Sequence, residues 1–307
     1  MSELVLDHVS RWYGNVVAVN DVTMTIGPGV TGLLGPNGAG KSTLISMMSG
    51  FLAPSAGTVR LDGEDVWRNV GAYRRLGLVP EREVSFGYLS GREFVQANAE
   101  LHRLRDTRSA TQRALEEVDL VDAADRAIST YSKGMRQRAK LAGALVHEPQ
   151  VLLLDEPFNG VDPRQRMHLM ELLTRMGEQG RTVLFSSHIL EEVEHIARHV
   201  EVVVSGRHAA SGDFGAIRRL MTDRPTRYTV RSSDDRRLAA ALMAEPSVRG
   251  TSLEAAAGGS EVHVEVTDMG GFARALPALA RAAGITVREL TPTDESLESV
   301  FTYLVQS

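Results

Sequence analysis

The period of the apolar positions changes several times along the chain. Near the start, Leu4, Leu6 and Val9, then residues 16–19 and 22–26, form short apolar runs broken by Gly and Asn. This pattern predicts short strands. Residues 30–34 predict a strand running into a glycine-rich stretch, and Leu44, Ile45, Met47 and Met48 predict a helix starting near Lys41. Residues 92–145 are rich in Ala, Leu, Arg and Glu with little β-branched content, which predicts amphipathic helices. Residues 151–154 and 183–186 read as buried strands, with a helix carrying Met167, Leu169, Leu172 and Leu173 between them. Strand, helix and strand at that spacing predict parallel βαβ units.

The pattern breaks after about Val204. Residues 206–225, rich in Gly, Arg and Asp, read as a connector with a short helix at 216–221. Beyond it the alternation restarts. Strands are expected at 227–231, 248–253, 261–266 and 285–290, and helices at 236–243, 272–283 and 297–304, with a turn at Gly258 and Gly259. The order βαββαβ predicts a small α+β, ferredoxin-like domain with an added final helix. The expected organisation is therefore a first domain over 1–205, a connector over 206–225 and an accessory domain over 226–307.

Composition narrows the function classes. The 307 residues are 43% hydrophobic and 24% charged, with a net charge of -5, which is ordinary globular composition. A mildly acidic chain is not built for non-specific nucleic-acid binding, so no nucleic-acid partner is expected. Cysteine is absent, which excludes disulfides, thiolate metal sites and cysteine nucleophiles. Residues 1–10 lack the basic and apolar regions of a secretory signal, and no apolar run approaches the ~20 residues of a membrane span. The expectation is a chain soluble by itself. Of 34 Lys and Arg residues, only Lys41, Lys133 and Lys140 are lysine. A lysine kept where arginine is the rule offers a compact ammonium that a planar guanidinium does not replace at a crowded phosphate.

Two motifs carry chemistry. The first is Gly35, Pro36, Asn37, Gly38, Ala39, Gly40, Lys41, Ser42 and Thr43, which fits G-x-x-x-x-G-K-[ST] between a predicted strand and helix. The glycines let backbone N–H groups face phosphate oxygens, and the following helix adds its positive end. Lys41 is expected to reach the β- and γ-phosphates, and the Ser42 hydroxyl to ligate Mg²⁺. The second motif is Val151-Leu152-Leu153-Leu154-Asp155-Glu156, an apolar strand ending in two carboxylates. Asp155 is expected to hold Mg²⁺ through water, and Glu156 to orient or activate the attacking water.

Further stretches, in order, resemble the ABC ATPase family. Tyr131-Ser132-Lys133-Gly134-Met135 resembles the family's signature loop, commonly Leu-Ser-Gly-Gly-Gln. Ser132 and Gly134 are kept, while Tyr131, Lys133 and Met135 depart. Asn159-Gly160-Val161-Asp162-Pro163 is similar to the loop connecting the two active sites of a dimer, and His188 to the histidine that contacts the γ-phosphate. Tyr13 matches the aromatic residue that stacks on adenine. After the predicted strand at 77–79 the family usually has Gln, and this chain has Glu81. Glu81 either takes the Gln role with altered metal affinity or sits aside and couples to a partner; the first is favoured. Ser296-Leu297-Glu298-Ser299-Val300-Phe301 resembles the ending of exporter-type ATP-binding subunits.

The resemblance implies an α/β P-loop NTPase cassette with a RecA-like core, an antiparallel β subdomain and a helical subdomain at about 86–145. It implies ATP and Mg²⁺ as cofactors, with Ser132, Gly134 and Asp162 completing a nucleotide site across a head-to-tail pair. The second cassette would be another copy or a paralogue. A separate transmembrane permease, contacted through the region around Glu81 to Arg92 and the helical segment after it, would place the chain at the inner face of the cell membrane. Two other readings follow from the same cassette. One is a soluble ABC ATPase acting on ribosome or DNA; the other is an importer ATPase with a regulatory C-terminal domain.

Overall fold

The structure is a computed structural model and describes residues 2–82, 86–213, 226–256 and 259–292. The chain divides into two compact units, 1–214 and 215–307. The helices expected at 216–221 and 297–304, the Ser296–Phe301 motif and Gly258 lie outside the described residues.

The first unit runs β1 (Leu4–Tyr13), β2 (Val16–Ile26), β3 (Gly29–Leu34), α1 (Lys41–Met48), β4 (Ala56–Leu61), β5 (Glu64–Asp65), α2 (Val70–Tyr73) and β6 (Leu76–Val79). It continues with α3 (Gly91–Leu101), α4 (Thr107–Glu117), α5 (Lys133–Leu145), β7 (Val151–Leu154), α6 (Pro163–Glu178), β8 (Thr182–Ser187), α7 (Leu190–Ile196), β9 (His199–Val204) and β10 (Arg207–Gly212). Strands β2-β1-β4-β5 form an antiparallel sheet, and β10-β9-β3-β8-β7-β6 form a second sheet. The pairs β9–β3, β3–β8, β8–β7 and β7–β6 are parallel, and only the β10 edge runs antiparallel.

Residues 16–19 and 22–26 were expected as separate strands, and they are one strand, β2. The intervening Asn20-Asp21 makes a bulge rather than a turn: Asp21 sits at φ 54° and its N–H donates to Ser10 Oγ at 2.9 Å. The segment from 206, expected as a connector, begins as β10. Gly206 at φ 78° turns the chain, and its carbonyl accepts from Asn20 N–H at 2.7 Å, so the hairpin is held by β2.

Helix α1 lies between the two sheets. Leu44, Ile45, Met47 and Met48 are buried with Leu4, Leu6, Val22 and Ile26 of the antiparallel sheet and Leu33, Leu153 and Leu184 of the other. A helix apolar around most of its surface needs cover on all sides, and two sheets supply it. Burial of these side chains stabilises the unit by roughly 1.5–3 kcal/mol each. That burial also clamps the loop preceding α1.

Helices α3 to α5 form the helical segment. Ser90 and Glu93 close a capping box at the start of α3, which satisfies two of its free N–H groups. Asp106 caps α4 and Ser132 caps α5. Close packing of α3 on α5 needs Gly143, where a β-carbon would lie 2.9 Å from Phe94 Cε1.

The second unit contains β11 (Thr226–Ser232), α8 (Asp235–Leu242), β12 (Val248–Ala256), β13 (Gly259–Val266), α9 (Met269–Ala282) and β14 (Val287–Pro292). The sheet order is β12-β13-β11-β14 with antiparallel neighbours throughout. This is the ferredoxin-like arrangement expected from the βαββαβ order. Val230, Val262 and Val264 pack with Leu238 and Leu242 of α8 and with Phe272 and Leu276 of α9. The alternate positions carry Arg227–Glu265 and Arg231–Glu261 ion pairs at 2.8 and 3.0 Å, the period-two separation a half-covered sheet requires.

Candidate functional site

The loop between β3 and α1 has its shape set by glycine. Gly38 and Gly40 lie at φ 79° and 99°, which disfavours any side chain. A β-carbon on Gly40 would also fall 2.5 Å from Ala18 O, and one on Gly35 would fall onto Val203 O. The loop is thereby pressed between β2 and β9, and Lys41 is swung back over it. The Lys41 ammonium donates to Gly35 O at 2.7 Å and to Pro36 O at 3.1 Å.

The carboxylates emerge at the end of β7. Asp155 N–H donates to Val79 O at 2.9 Å, extending the parallel ladder by one residue. Glu156 then leaves the sheet at φ 45°. Its carboxylate is nearly buried and bridges two partners, with Oε1 3.3 Å from Lys41 Nζ and Oε2 3.0 Å from His188 Nδ1. His188 follows β8 and is about a third exposed, so the bridge has one wet end.

A hydroxyl organises both acids. Ser186 Oγ donates to Asp155 Oδ1 at 2.8 Å and accepts from Glu156 N–H at 2.8 Å. The next residue repeats the device one layer out. Ser187 Oγ donates to Glu192 at 2.6 Å, and Arg166 of α6 stands 3.4 Å from the same carboxyl. Burial pushes the Glu192 carboxyl above the usual carboxylate range, against the pull of Ser187 and Arg166.

These elements open on a cleft of about 630 Å³ lined by Asn37, Gly38, Ala39, Gly40, Lys41, Ser42, Thr43, Glu81, Glu156 and His188, together with Ala18 and Asn159. It lies at the carboxyl ends of parallel strands, where open α/β sheets bind ligands. Gly35 and Pro36 are tied to it through their carbonyls, which accept from the Lys41 ammonium. Glu81 reaches it after β6, and its Oε1 accepts from Asn159 Nδ2 at 3.3 Å.

Seven expected site residues do not line this cleft: Gly35, Pro36 and Asp155, which are tied to it through Lys41 and Ser186, and Tyr13, Ser132, Gly134 and Asp162. Tyr13 is 48% exposed at the end of β1, with the Arg11 guanidinium 4.8 Å from its ring centre. Ser132 and Gly134 start α5, and Asp162 caps α6 by accepting from Gln165 N–H at 3.1 Å. Sequence reasoning missed Ser186 and Ala18. A hydroxyl inside an otherwise apolar strand end was the available signal for Ser186; Ala18 acts through its backbone and leaves none.

One departure in the signature stretch, Tyr131, has a local explanation. Tyr131 is buried, its Oη donates to Ala123 O at 2.7 Å, and its ring covers Gly91 at the start of α3. The larger side chain thus fills space that the glycine at 91 vacates.

Residues 19–159 match the family model described as ABC transporter. The chain is 38% identical over 213 residues to the daunorubicin resistance ATP-binding protein DrrA3 of Streptomyces coeruleorubidus, covering 68% of this chain and 67% of that one. It is 32% identical over 302 residues to the bacitracin transport ATP-binding protein BcrA of Enterococcus faecalis, covering 97% and 95%. A solved ATP-binding subunit of an ABC transporter superposes with a TM-score of 0.63 at 28% identity, over 70% of this chain and 92% of that one. With a glycine-shaped phosphate loop, paired acids at a strand end and this coverage of its relatives, the chain belongs to the ABC transporter ATP-binding proteins, ATPases coupled to transport.

Proposed function

We propose that the cleft binds ATP with Mg²⁺, that Glu156 directs water at the γ-phosphate, and that the cycle drives a separate permease exporting a drug-like or antibiotic substrate. The observation that carries the reading is the Lys41–Glu156–His188 chain across one cleft. Lys41 has three oxygen partners in the structure, and a triphosphate offers it stronger ones. As the ammonium moves to phosphate, Glu156 gives up one cationic contact and becomes available to accept a proton from water. His188 holds the other carboxylate oxygen and orients it.

Ser42, Glu81 and Asp155 offer a hydroxyl and two carboxylates, an oxygen-only donor set that fits Mg²⁺. When bound with nucleotide, the ion would neutralise charge on the β- and γ-oxygens. Backbone N–H groups of 38–43 hold the phosphates, and Tyr13 stands one strand away from the loop as an adenine platform. Ser132, Gly134 and Asp162 do not line their own cleft and would complete the site of a second cassette, which is how two ATP molecules would join two subunits head to tail.

The export direction is supported by the daunorubicin-resistance and bacitracin-transport relatives. Among the described residues no helix is long and apolar enough to cross a membrane, so the spanning part would come from a partner, contacted through residues 81–92 at the cell membrane's inner face. The test is Glu156→Gln. ATP binding should persist, hydrolysis should fall by at least ~100-fold, and ATP should trap a dimer measurable by light scattering. Wild-type turnover in that variant would refute the assignment.

A further inference from the structure

Lys133 stands where the common signature has glycine, and it is one of three lysines among 34 cationic residues. Lys41 lines the nucleotide cleft, and Lys133 and Lys140 line a chamber of about 100 Å³ beside it. The chamber and the cleft share Glu81, Glu156 and Asn159. All three lysines of the chain therefore stand on the walls of this one connected space.

Lys133 opens α5 immediately after Ser132. Its side chain lies along Gly160, in the loop that follows Glu156. A β-carbon built on Gly160 would fall onto the Lys133 ammonium, 3.1 Å from its Cε and 3.3 Å from its Cδ. Gly160 also needs glycine for its φ of 65°. One residue into α5, a β-carbon on Gly134 would lie 2.9 Å from Gln165 Cβ in the first turn of α6. The start of α5 thus meets the 160–165 segment twice, once near-backbone at Gly134 and once through the distal half of the Lys133 side chain at Gly160. Glycine at 133 would keep the first contact and lose the second.

We infer that Lys133 is a positioning residue linking the signature stretch to the 159–162 loop, so that nucleotide from a second subunit meeting Ser132 and Gly134 is signalled to Glu156 of the same chain. The inference rests on the head-to-tail pair proposed above. The Lys133 side chain spans from α5 to the side-chain-free α-carbon of Gly160, so a shift of α5 is felt at this loop through the lysine as well as through the Gly134–Gln165 contact. The loop it moves begins beside Glu156, and Asn159 within it holds Glu81.

The test is ATP-dependent turnover of the full chain in Lys133→Gly, Gly160→Ala and the double variant. In wild type the Hill coefficient should approach about 2, the number of coupled sites, and in Lys133→Gly it should fall to about 1. Nucleotide affinity of the isolated subunit and thermal midpoint should not move in Lys133→Gly, which a merely structural role would not predict. Gly160→Ala displaces the same contact, so the double variant should be no worse than Gly160→Ala alone. A Lys133→Gly protein with wild-type cooperativity, an additive double variant, or a wild-type Hill coefficient of 1 overturns the inference. The dimer is read separately in Glu156→Gln with ATP. A monomer there overturns the head-to-tail reading and this inference together, whereas a dimer with cooperativity indifferent to residue 133 overturns this inference alone.

Discussion

Lys41 and Glu156 form a nearly buried ion pair, Nζ to Oε1 3.3 Å, between a phosphate loop and a strand end that are far apart in sequence. Removing one partner leaves the other charge in a poorly solvated place. Lys41→Met should therefore lower stability by about 3 kcal/mol, and Lys41→Met with Glu156→Gln should recover most of that loss. Urea denaturation of the three proteins without nucleotide measures it. Both proteins carrying Lys41→Met should also lose ATP affinity, so stability and binding separate.

His188 holds the second oxygen of the same carboxylate, 3.0 Å from Nδ1. His188→Ala frees Glu156 to turn without touching the phosphate loop. Turnover should fall about 100-fold while ATP affinity stays within about threefold. Equal losses in affinity and turnover would place His188 in ground-state binding instead.

Ser186 serves Asp155 and Glu156 at once. Ser186→Ala leaves a buried carboxylate oxygen and a backbone N–H unpaired, which costs about 1–3 kcal/mol of stability. The Mg²⁺ concentration for half-maximal turnover should rise, because Asp155 loses the hydroxyl that orients it. An unchanged Mg²⁺ profile would count against the proposed metal role of Asp155.

Glu81 lies at the cleft wall and is tied to Asn159 at 3.3 Å. Glu81→Gln keeps the oxygen acceptor and removes a charge near the triphosphate. The half-saturating Mg²⁺ concentration should shift several-fold, in keeping with loss of one carboxylate donor. An unchanged profile sinks the metal role and leaves Glu81 as a coupling residue.

His147 and His102 stack with ring centres 3.7 Å apart, and His147 Nε2 meets Leu76 O at 2.9 Å. Burial, and then the neighbouring His102, push the His147 pKa down from 6.5 to about 4. Below pH 6.5 the unfolded chain takes up a proton that the folded chain refuses until about pH 4. Stability is thus lost as pH falls through that window and is unaffected above it. Between pH 7 and 5 the loss should be roughly 2 kcal/mol. Urea midpoints at the two pH values for wild type and His147→Gln check this; the variant should show a smaller drop.

Much of the fold was legible because its elements follow simple periods. The run Val151–Leu154 could only be a buried strand, and βαββαβ appears in the second unit in the order the alternation suggests. The β2 bulge at Asp21 was not legible, since Asn-Asp reads as a turn until Ser10 supplies a distant hydroxyl. The β10 hairpin was hidden for a related reason: Ala209, Ala210 and Ser211 carry weak strand preference, and pairing with β9 decides their conformation. At the site, motif spacing pointed to Gly38–Thr43 and Glu156, and the family resemblance to His188. What spacing could not reveal was the pairing of Lys41 with Glu156, a contact that exists only after β3 and β7 are brought into one sheet. Nor could it say that Tyr131 is a core residue, because its place is set by Gly91 on another helix.

The scarcity of lysine gives the intact protein a built-in chemical reporter. An amine-acylating reagent meets three side-chain targets in the whole sequence, of which Lys41 and Lys140 are buried and Lys133 is exposed. Acylation should therefore mark Lys133 first, and the rate at which mass spectrometry finds it marked becomes a direct gauge of whether a second subunit has covered that loop.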